Sequence, residues 1–304
     1  MTDMRFLVLG TAAGGGLPQW NCGCDNCRSA RIEGSGLRPQ TQSSVAVSVD
    51  GENWAILNAS PDIRQQIADN SALHPRELRH SPIRSVVVTN GDIDHIAGLL
   101  VLREKQAFGL FMTEALADIL SGNPVFSALD PAFVQRQTIA LGTPFQLLPG
   151  LTAELFPVPG KVPLFLEDDN PEIGLEGEQT IGIELKSGNQ RAYYIPGCAA
   201  LTEKLASRID GADLLLFDGT LFTDDEMLVS GTGQKTGRRM GHMPIDGAGG
   251  SLEALSSVTV ARKVYVHINN TNPIWRQGPA RDKVYDAGFE VGHDGMEIDL
   301  AADT

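Results

Sequence analysis

Four apolar segments of this chain end on residues that a buried strand interior rejects. "NWAILNAS", "IRSVVVTN", "DLLLFDGT" and "KVYVHINN" are runs of aliphatic and β-branched residues that close on Asn, Asp or His. Such runs, bounded by turn-forming residues, read as strands. Asn58 to Asp62, Asn90 to His95, Asp218 to Thr220 and His267 therefore follow strands or close them. In a layered architecture loops of this kind gather at one end of the sheets, where ligands bind. Any fold for this chain has to accommodate that convergence.

The rest of the pattern is consistent with it. "MRFLVLG", "SSVAVSVDG", "LTAELFPV", "TIGIELKSG" and "RAYYIPG" read as further strands, and "PDIRQQIAD", "DHIAGLLVLREKQ", "TEKLASRI" and "GAGGSLEALSS" carry helical spacing. The segment from Thr113 to Leu141 reads as a helical insertion, broken by Pro and Gly, that covers one edge of the core. Strands in both halves with helices between them predict an α/β (α+β) sandwich of two sheets with helices on both outer faces. The 304 residues, 42% of them hydrophobic, suffice for one large core, and residues 1–304 are expected to form one domain.

Charge and cysteine usage narrow the function. The formal net charge is −14 and the basic residues form no run, which excludes nucleic acid as a partner. No apolar stretch reaches membrane-spanning length. The start "MTDMRFLVLGTAAGGG" reads as a strand entering a Gly-rich loop, without the basic flank and cleavage site of a secretory signal, so a cytoplasmic location is expected. Three of the four cysteines fall in "WNCGCDNC". In a reducing compartment Cys22, Cys24 and Cys27 read as thiolate ligands of one zinc ion, a knuckle spanning 22–27. Three thiolates leave room for one more ligand, which has to come from elsewhere in the chain and staple the N-terminal loop to it.

Two other features have plainer readings. "GTAAGGGLP" lacks the spacing of a dinucleotide loop, and its glycines are expected to let the backbone pack closely behind the knuckle. Cys198, after "YYIPG", reads as a small buried apolar residue, with a redox or ligand role left open.

"VVVTNGDIDHIAGL" resembles the motif of the metallo-β-lactamase superfamily, a strand followed by H-x-H-x-D-H and a helix. Here it reads N-x-D-x-D-H, with Asn90 and Asp92 at the two leading His positions and Asp94 and His95 in their usual ones. "LLLFDGT" resembles the strand whose aspartate bridges two metals, which maps to Asp218. "VYVHINN" resembles the last ligand strand and maps to His267. His242 in "GHMPI" is similar to a histidine that some phosphodiesterases of the superfamily use beside the metals, and Lys161 stands near the position of a missing ligand histidine. The stretches "LGTAAGGGLPQWNCGCDNCRSAR", "RPQTQSSVAVS", "NWAILNASPDIRQQI" and "GHMPIDG" extend the resemblance over essentially the whole chain, to the pyrroloquinoline quinone (PQQ) biosynthesis protein B family. That resemblance implies a four-layer αββα fold, a structural zinc in the knuckle, and metal-dependent hydroxylation of a tyrosine from a precursor peptide. It also leaves an older reading, a carrier of the quinone or its precursor.

The residues themselves bear on the chemistry. A hydrolytic dizinc site relies on several imidazoles, and three of those positions are lost here. His95 and His267 with Asp92, Asp94 or Asp218 form a harder set. Two imidazoles and one carboxylate with open positions describe a non-haem ferrous oxygenase site. We therefore expect Fe(II), with zinc as the alternative occupant, on Asp92, His95, Asp218 and His267. Asn90 is expected to orient Asp92 or the substrate, and Asp94 to serve catalysis or cap the helix it begins. His242 is expected to donate a proton or bind substrate, and Lys161 to bind substrate or lie in a surface turn. Asn270 or a side chain near it is expected as the fourth zinc ligand. The substrate is expected to be a small peptide or amino-acid derivative. A metallohydrolase and a non-catalytic carrier stay as alternatives, and the oligomeric state, a homodimer included, is left open.

Overall fold

The computed structural model describes residues 3–168 and 172–300. Its strands run in chain order as β1 (Arg5–Gly10), β2 (Ser44–Ser48), β3 (Trp54–Leu57), β4 (Ile83–Val87), β5 (Phe108–Met112), β6 (Val134–Thr138), β7 (Pro144–Leu148), β8 (Leu151–Pro157), β9 (Ile181–Ser187), β10 (Gln190–Ile195), β11 (Ala212–Asp218), β12 (Val260–Val266), β13 (Phe289–Val291) and β14 (Met296–Asp299). They form two seven-stranded sheets, ordered β14-β1-β2-β3-β4-β5-β6 and β13-β12-β11-β10-β9-β8-β7.

Side-chain alternation builds the layers. In β1, Phe6 and Val8 enter the core between the sheets, while Leu7 and Leu9 pack outward under helices. In β11, Leu214 and Leu216 face the other sheet, and Leu215 and Phe217 face the helices of the opposite outer layer. A strand buried on both faces cannot alternate apolar with polar, which is why these strands read as continuous apolar runs. The result is the expected four-layer αββα sandwich.

Each sheet is part antiparallel and part parallel. β3, β4, β5 and β6 pair in parallel in the first sheet, and β10, β11, β12 and β13 do so in the second. β11 and β12 run the same way in the second sheet, and the end of β4 in the first sheet meets theirs. The loops at Asn90 to His95, Asp218 to Thr220 and His267 meet there, as ligand-bearing loops of parallel strands do.

Two expected elements differ. The helix expected over 94–106 is one short turn, Ile93–Ile96, followed by a 3₁₀ turn, Ala97–Leu100. The backbone of Ala59 and Ser60 presses on it: a Cβ at Gly98 would lie 2.1 Å from the Ser60 carbonyl oxygen, and the Gly98 amide donates to Ala59. The segment 113–141 is not a helical insertion. It holds one helix, Glu114–Gly122, a 3₁₀ turn, and then β6, which extends the first sheet. Only Val134 of β6 is buried, so this edge strand carries no apolar pattern to read.

The loop between β13 and β14 ties the N-terminal region down through Asp294. Its carboxylate accepts from the Thr11 amide at 3.0 Å and from the Thr41 amide and hydroxyl at 2.6 and 2.7 Å. Burial pushes this carboxyl up to about 7, against those hydrogen bonds. The unfolded chain releases the proton near 3.8, the folded chain near 7, so this group makes stability fall as pH rises through that window. Asp294→Asn should remove that contribution. Melting curves of both proteins between pH 4 and 7 test it: relative to the variant, the wild type should lose stability as pH rises, and parallel profiles would refute the assignment.

Candidate metal centre and its pocket

The centre is assembled from three strand ends. Asp94 and His95 follow β4, Asp218 closes β11, and His267 follows β12. Ligand atoms of Asp94, His95 and His267 lie within 4.8 Å of one another, and so do those of Asp218, His242 and His267. His267 belongs to both groups. Its backbone is left-handed, φ 57°, an unusual conformation for a residue with a Cβ. Neighbouring bonds hold it there, since the Thr220 hydroxyl donates to the His267 carbonyl and the Ile268 amide to that of Thr11.

Hydrogen bonds decide which ring atoms face the centre. His95 Nδ1 lies 2.6 Å from Asn90 Oδ1, an atom that only accepts, so Nδ1 carries the proton. Nε2 then presents a lone pair, and it is buried without a hydrogen-bond partner. Burial lowers the pKa of His95, more than Asp94 raises it, which favours this neutral form. A buried imidazole lone pair facing a carboxylate 3.9 Å away fits a metal ligand. Asn90 Oδ1 also accepts from the Asp92 amide at 2.9 Å. The orienting work of Asn90 thus falls on the His95 ring and the loop backbone.

Thr220 does the same for the other half. Its hydroxyl lies 2.6 Å from Asp218 Oδ1, 2.8 Å from His267 Nδ1 and 3.1 Å from His242 Nδ1. His267 Nε2 turns to Asp94 Oδ2 at 3.1 Å. Burial opposes charge on Asp94, yet His95 and His267 hold its carboxyl well below the usual range. Burial opposes charge on His267 too, but the Asp94 hydrogen bond raises its pKa. Asp218 is held low by His242 despite full burial, and accepts from the Cys198 amide at 2.9 Å.

Asp92 stands outside both groups. Its Oδ1 accepts from the Leu164 amide at 2.9 Å and pins the loop that begins at Lys161. Asp94, read as a catalytic group or helix cap, takes the place in the donor set that Asp92 was expected to fill. The N-cap of this helix is Asp92, whose side chain makes no cap bond, and the Asp94 carboxylate turns to His267. Two residues on, the start of the helix has rotated the chain, and no local pattern shows which carboxylate then faces inward.

The centre opens into a cavity of about 520 Å³. Lys161 lines it, its ammonium 2.7 Å from Glu167, a carboxylate the sequence reading did not single out. Lys235 and Arg239 reach the same carboxylate at 2.9 and 3.3 Å. Thr220 was legible only as a residue after a strand. The Gly-rich loop also reaches the centre, since a Cβ at Gly14 would be 3.4 Å from Asp94 Oδ2, while Gly15 packs on Gln19, whose backbone amide donates to Cys27 of the knuckle. Cys198 is buried with its thiol 3.1 Å from the Ala200 carbonyl; it touches the centre through its backbone amide on Asp218, and its sulfur belongs to none of the three donor groups.

The sulfurs of Cys22, Cys24 and Cys27 lie within 4.8 Å of one another. Backbone amides of Cys24, Cys27 and Gln19 point at them. The Asn270 amide caps the three sulfurs at 3.1, 3.6 and 3.3 Å through Nδ2. A half-turn of that amide would put its oxygen in the same place, where it would complete a tetrahedral set with the three sulfurs. Asn26 donates to the carbonyls of Asn270 and Asn272, fastening the knuckle to the loop that carries His267.

A family described as the Beta-lactamase superfamily domain matches residues 53–268. The coenzyme PQQ synthesis protein B of Rhizobium meliloti is 66% identical over 299 residues, 98% of this chain and 99% of that protein. The protein of the same name from Ruegeria pomeroyi is 59% identical over 98% of this chain and all of its own. The crystal structure of zinc-bound PqqB from Methylobacterium extorquens superposes with a TM-score of 0.95 at 54% identity, covering 97% of this chain and 100% of that one. A diphosphatase of the PhnP family, at 20% identity and a TM-score of 0.70, shares the fold.

Proposed function

We propose, from the premise that this chain belongs to the coenzyme PQQ synthesis protein B family of the β-lactamase superfamily, that it hydroxylates a tyrosine-derived peptide intermediate of PQQ biosynthesis with Fe(II) at the centre of Asp94, His95 and His267. The observation that carries this reading is the unpartnered Nε2 of His95 beside a second imidazole and a carboxylate, at the base of a cavity. Two imidazoles and one carboxylate leave coordination positions free, as ferrous oxygenases require.

Bound there, iron would supply the activation of dioxygen. The protein's own groups do the rest. Asn90 keeps the His95 proton on Nδ1, and Thr220 fixes the rings of His267 and His242. His242 Nδ1 faces Asp218 Oδ2 at 2.7 Å. With Asp218 held as a carboxylate, Nδ1 keeps its proton and Nε2 becomes the atom that takes or gives one. The net change converts a ring C–H to C–OH with one oxygen atom of O₂. The other oxygen leaves as water, with two electrons from an added reductant and two protons.

Anaerobic loading with ferrous iron, followed by ascorbate, oxygen and a tyrosine-containing dipeptide, tests the reading. A product carrying one atom of labelled oxygen from O₂ is expected. Hydrolysis of a phosphodiester or lactone with zinc bound, and no oxygen-dependent product, would replace it with a metallohydrolase, which the second donor group of Asp218, His242 and His267 favours. Tight binding without turnover would leave the carrier. His242→Ala should lose about 10²–10⁴-fold in turnover while retaining iron. Loss of the iron itself would make His242 a ligand.

A further inference from the structure

We infer that Lys235, which lines the cavity, and Arg239, its neighbour on the Glu167 carboxylate, form a carboxylate-binding subsite at the cavity's edge, which anchors an aromatic, amino-acid-derived ligand by its free carboxylate while its ring lies toward His242 and His267. This rests on the reading of the cavity as a substrate site and adds which group of the substrate it recognises.

The charge pattern comes first. In a chain of net charge −14, one carboxylate is shared by three cations, Lys161, Lys235 and Arg239. The ammonium and guanidinium groups carry three and five N–H donors, and two oxygens cannot take them all. Burial opposes charge on Glu167, but hydrogen bonds from Lys161 and Lys235 hold its carboxyl down at about 2, so it stays an anion that orients them. Lys161 is mostly buried and also donates to the Val162 carbonyl. Lys235 and Arg239 keep 37% and 35% of their side chains exposed, enough to reach a ligand.

Position comes next. Two ties hold the segment from Lys161 to Glu167: Asp92 accepts from the Leu164 amide, and Glu167 accepts from the cations. Lys161 runs alongside Gly241, the neighbour of His242, where a Cβ would come within 3.1 Å of it. The cationic end is therefore tied to the loop that carries the proton-transfer histidine. Between them the cavity is lined by Leu164, Met227 and Met240. Thioether and aliphatic groups suit an aromatic ring. A ligand that is anionic at one end and aromatic at the other matches both parts, and an arginine is suited to bind a carboxylate through two hydrogen bonds.

The test is a binding comparison that needs neither iron turnover nor oxygen. N-acetyltyrosine and N-acetyltyrosinamide, which differ in the carboxylate, are titrated calorimetrically into zinc-loaded protein. The free acid should bind at least about tenfold more tightly than the amide, a margin that shrinks as salt is added. Lys235→Gln with Arg239→Gln should bring the acid to the affinity of the amide without changing the melting temperature. Equal binding of acid and amide, a margin that survives the double substitution, or no binding of the acid below about 10 mM would each overturn the subsite. Failure of the hydroxylase assay leaves this margin intact, and turnover with equal binding of acid and amide removes the subsite alone.

Discussion

His267→Ala should strip the active centre of its metal and abolish turnover while the knuckle keeps its own ion. His267 is the one residue common to both donor groups, and its ring is fixed at each nitrogen, by Thr220 on one side and Asp94 on the other. Loss of a residue that merely orients a ligand typically costs about 10–100-fold in metal affinity or activity, so loss of a shared ligand should exceed that. Asn90→Ala supplies the scale. It frees the His95 ring without removing a donor atom, and should lower activity more than affinity, within about 10–100-fold. His95→Ala should behave as His267→Ala does. Metal analysis of the purified variants after ferrous loading decides it. A full complement of active-site iron in His267→Ala would move the centre elsewhere.

Cys24→Ser should release the knuckle zinc and lower the melting temperature on the order of 5–10 °C, since structural zinc contributes directly to folding free energy. The position is demanding. Cys24 caps the helix Asp25–Ala30, its sulfur accepts from the Cys27 amide, and it lies 3.6 Å from the Asn270 amide. Burial pushes the Cys27 thiol up to about 11, so without a cation Cys27 resists ionisation, whereas at Cys24 burial is outweighed by hydrogen bonds, led by that of the Cys27 amide, which lower the thiol. Binding of zinc should therefore release protons. The active centre should still load in the variant, at reduced affinity, because Asn270 lies on the loop after His267. Calorimetric melting with zinc analysis tests this. Protein purified without chelator and found free of zinc, or a Cys24→Ser variant with unchanged melting, would refute the knuckle as a structural site.

Much of the architecture is legible in local pattern. β1, β2, β3, β4 and β11 sit where nearly continuous apolar runs place them, because both faces are buried, and β8, β9, β10 and β12 sit where shorter apolar stretches interrupted by polar residues place them. Most of the elements that escape are at the edges or are short, but β5, an inner strand with four buried residues, escapes as well because its five residues come just after the helix-like run 94–106. β6 has one buried residue, β7 two, and β13 spans three residues. Such strands form because a neighbour offers unpaired amides and carbonyls, and a one-dimensional pattern does not contain that neighbour.

The same division runs through the site. The sequence alone determined that Asn90, Asp94, His95, Asp218 and His267 would cluster, since polar residues closing apolar strands collect at the ends of the sheets. It also determined the knuckle, from three cysteines spaced within one turn of chain. Tertiary structure decided the roles. It turned Asp92 toward Leu164 and Asp94 toward His267, set the His95 Nδ1–H to donate to Asn90, and made Thr220 the common partner of Asp218, His242 and His267. It also gathered Lys161, Lys235 and Arg239 on Glu167, with partners as many as 72 positions from that carboxylate. The physical reason is one of range. Strand burial is set by a period of two residues and is written locally, whereas the direction of a side chain in a loop depends on partners that only the packed sheets bring within hydrogen-bond distance.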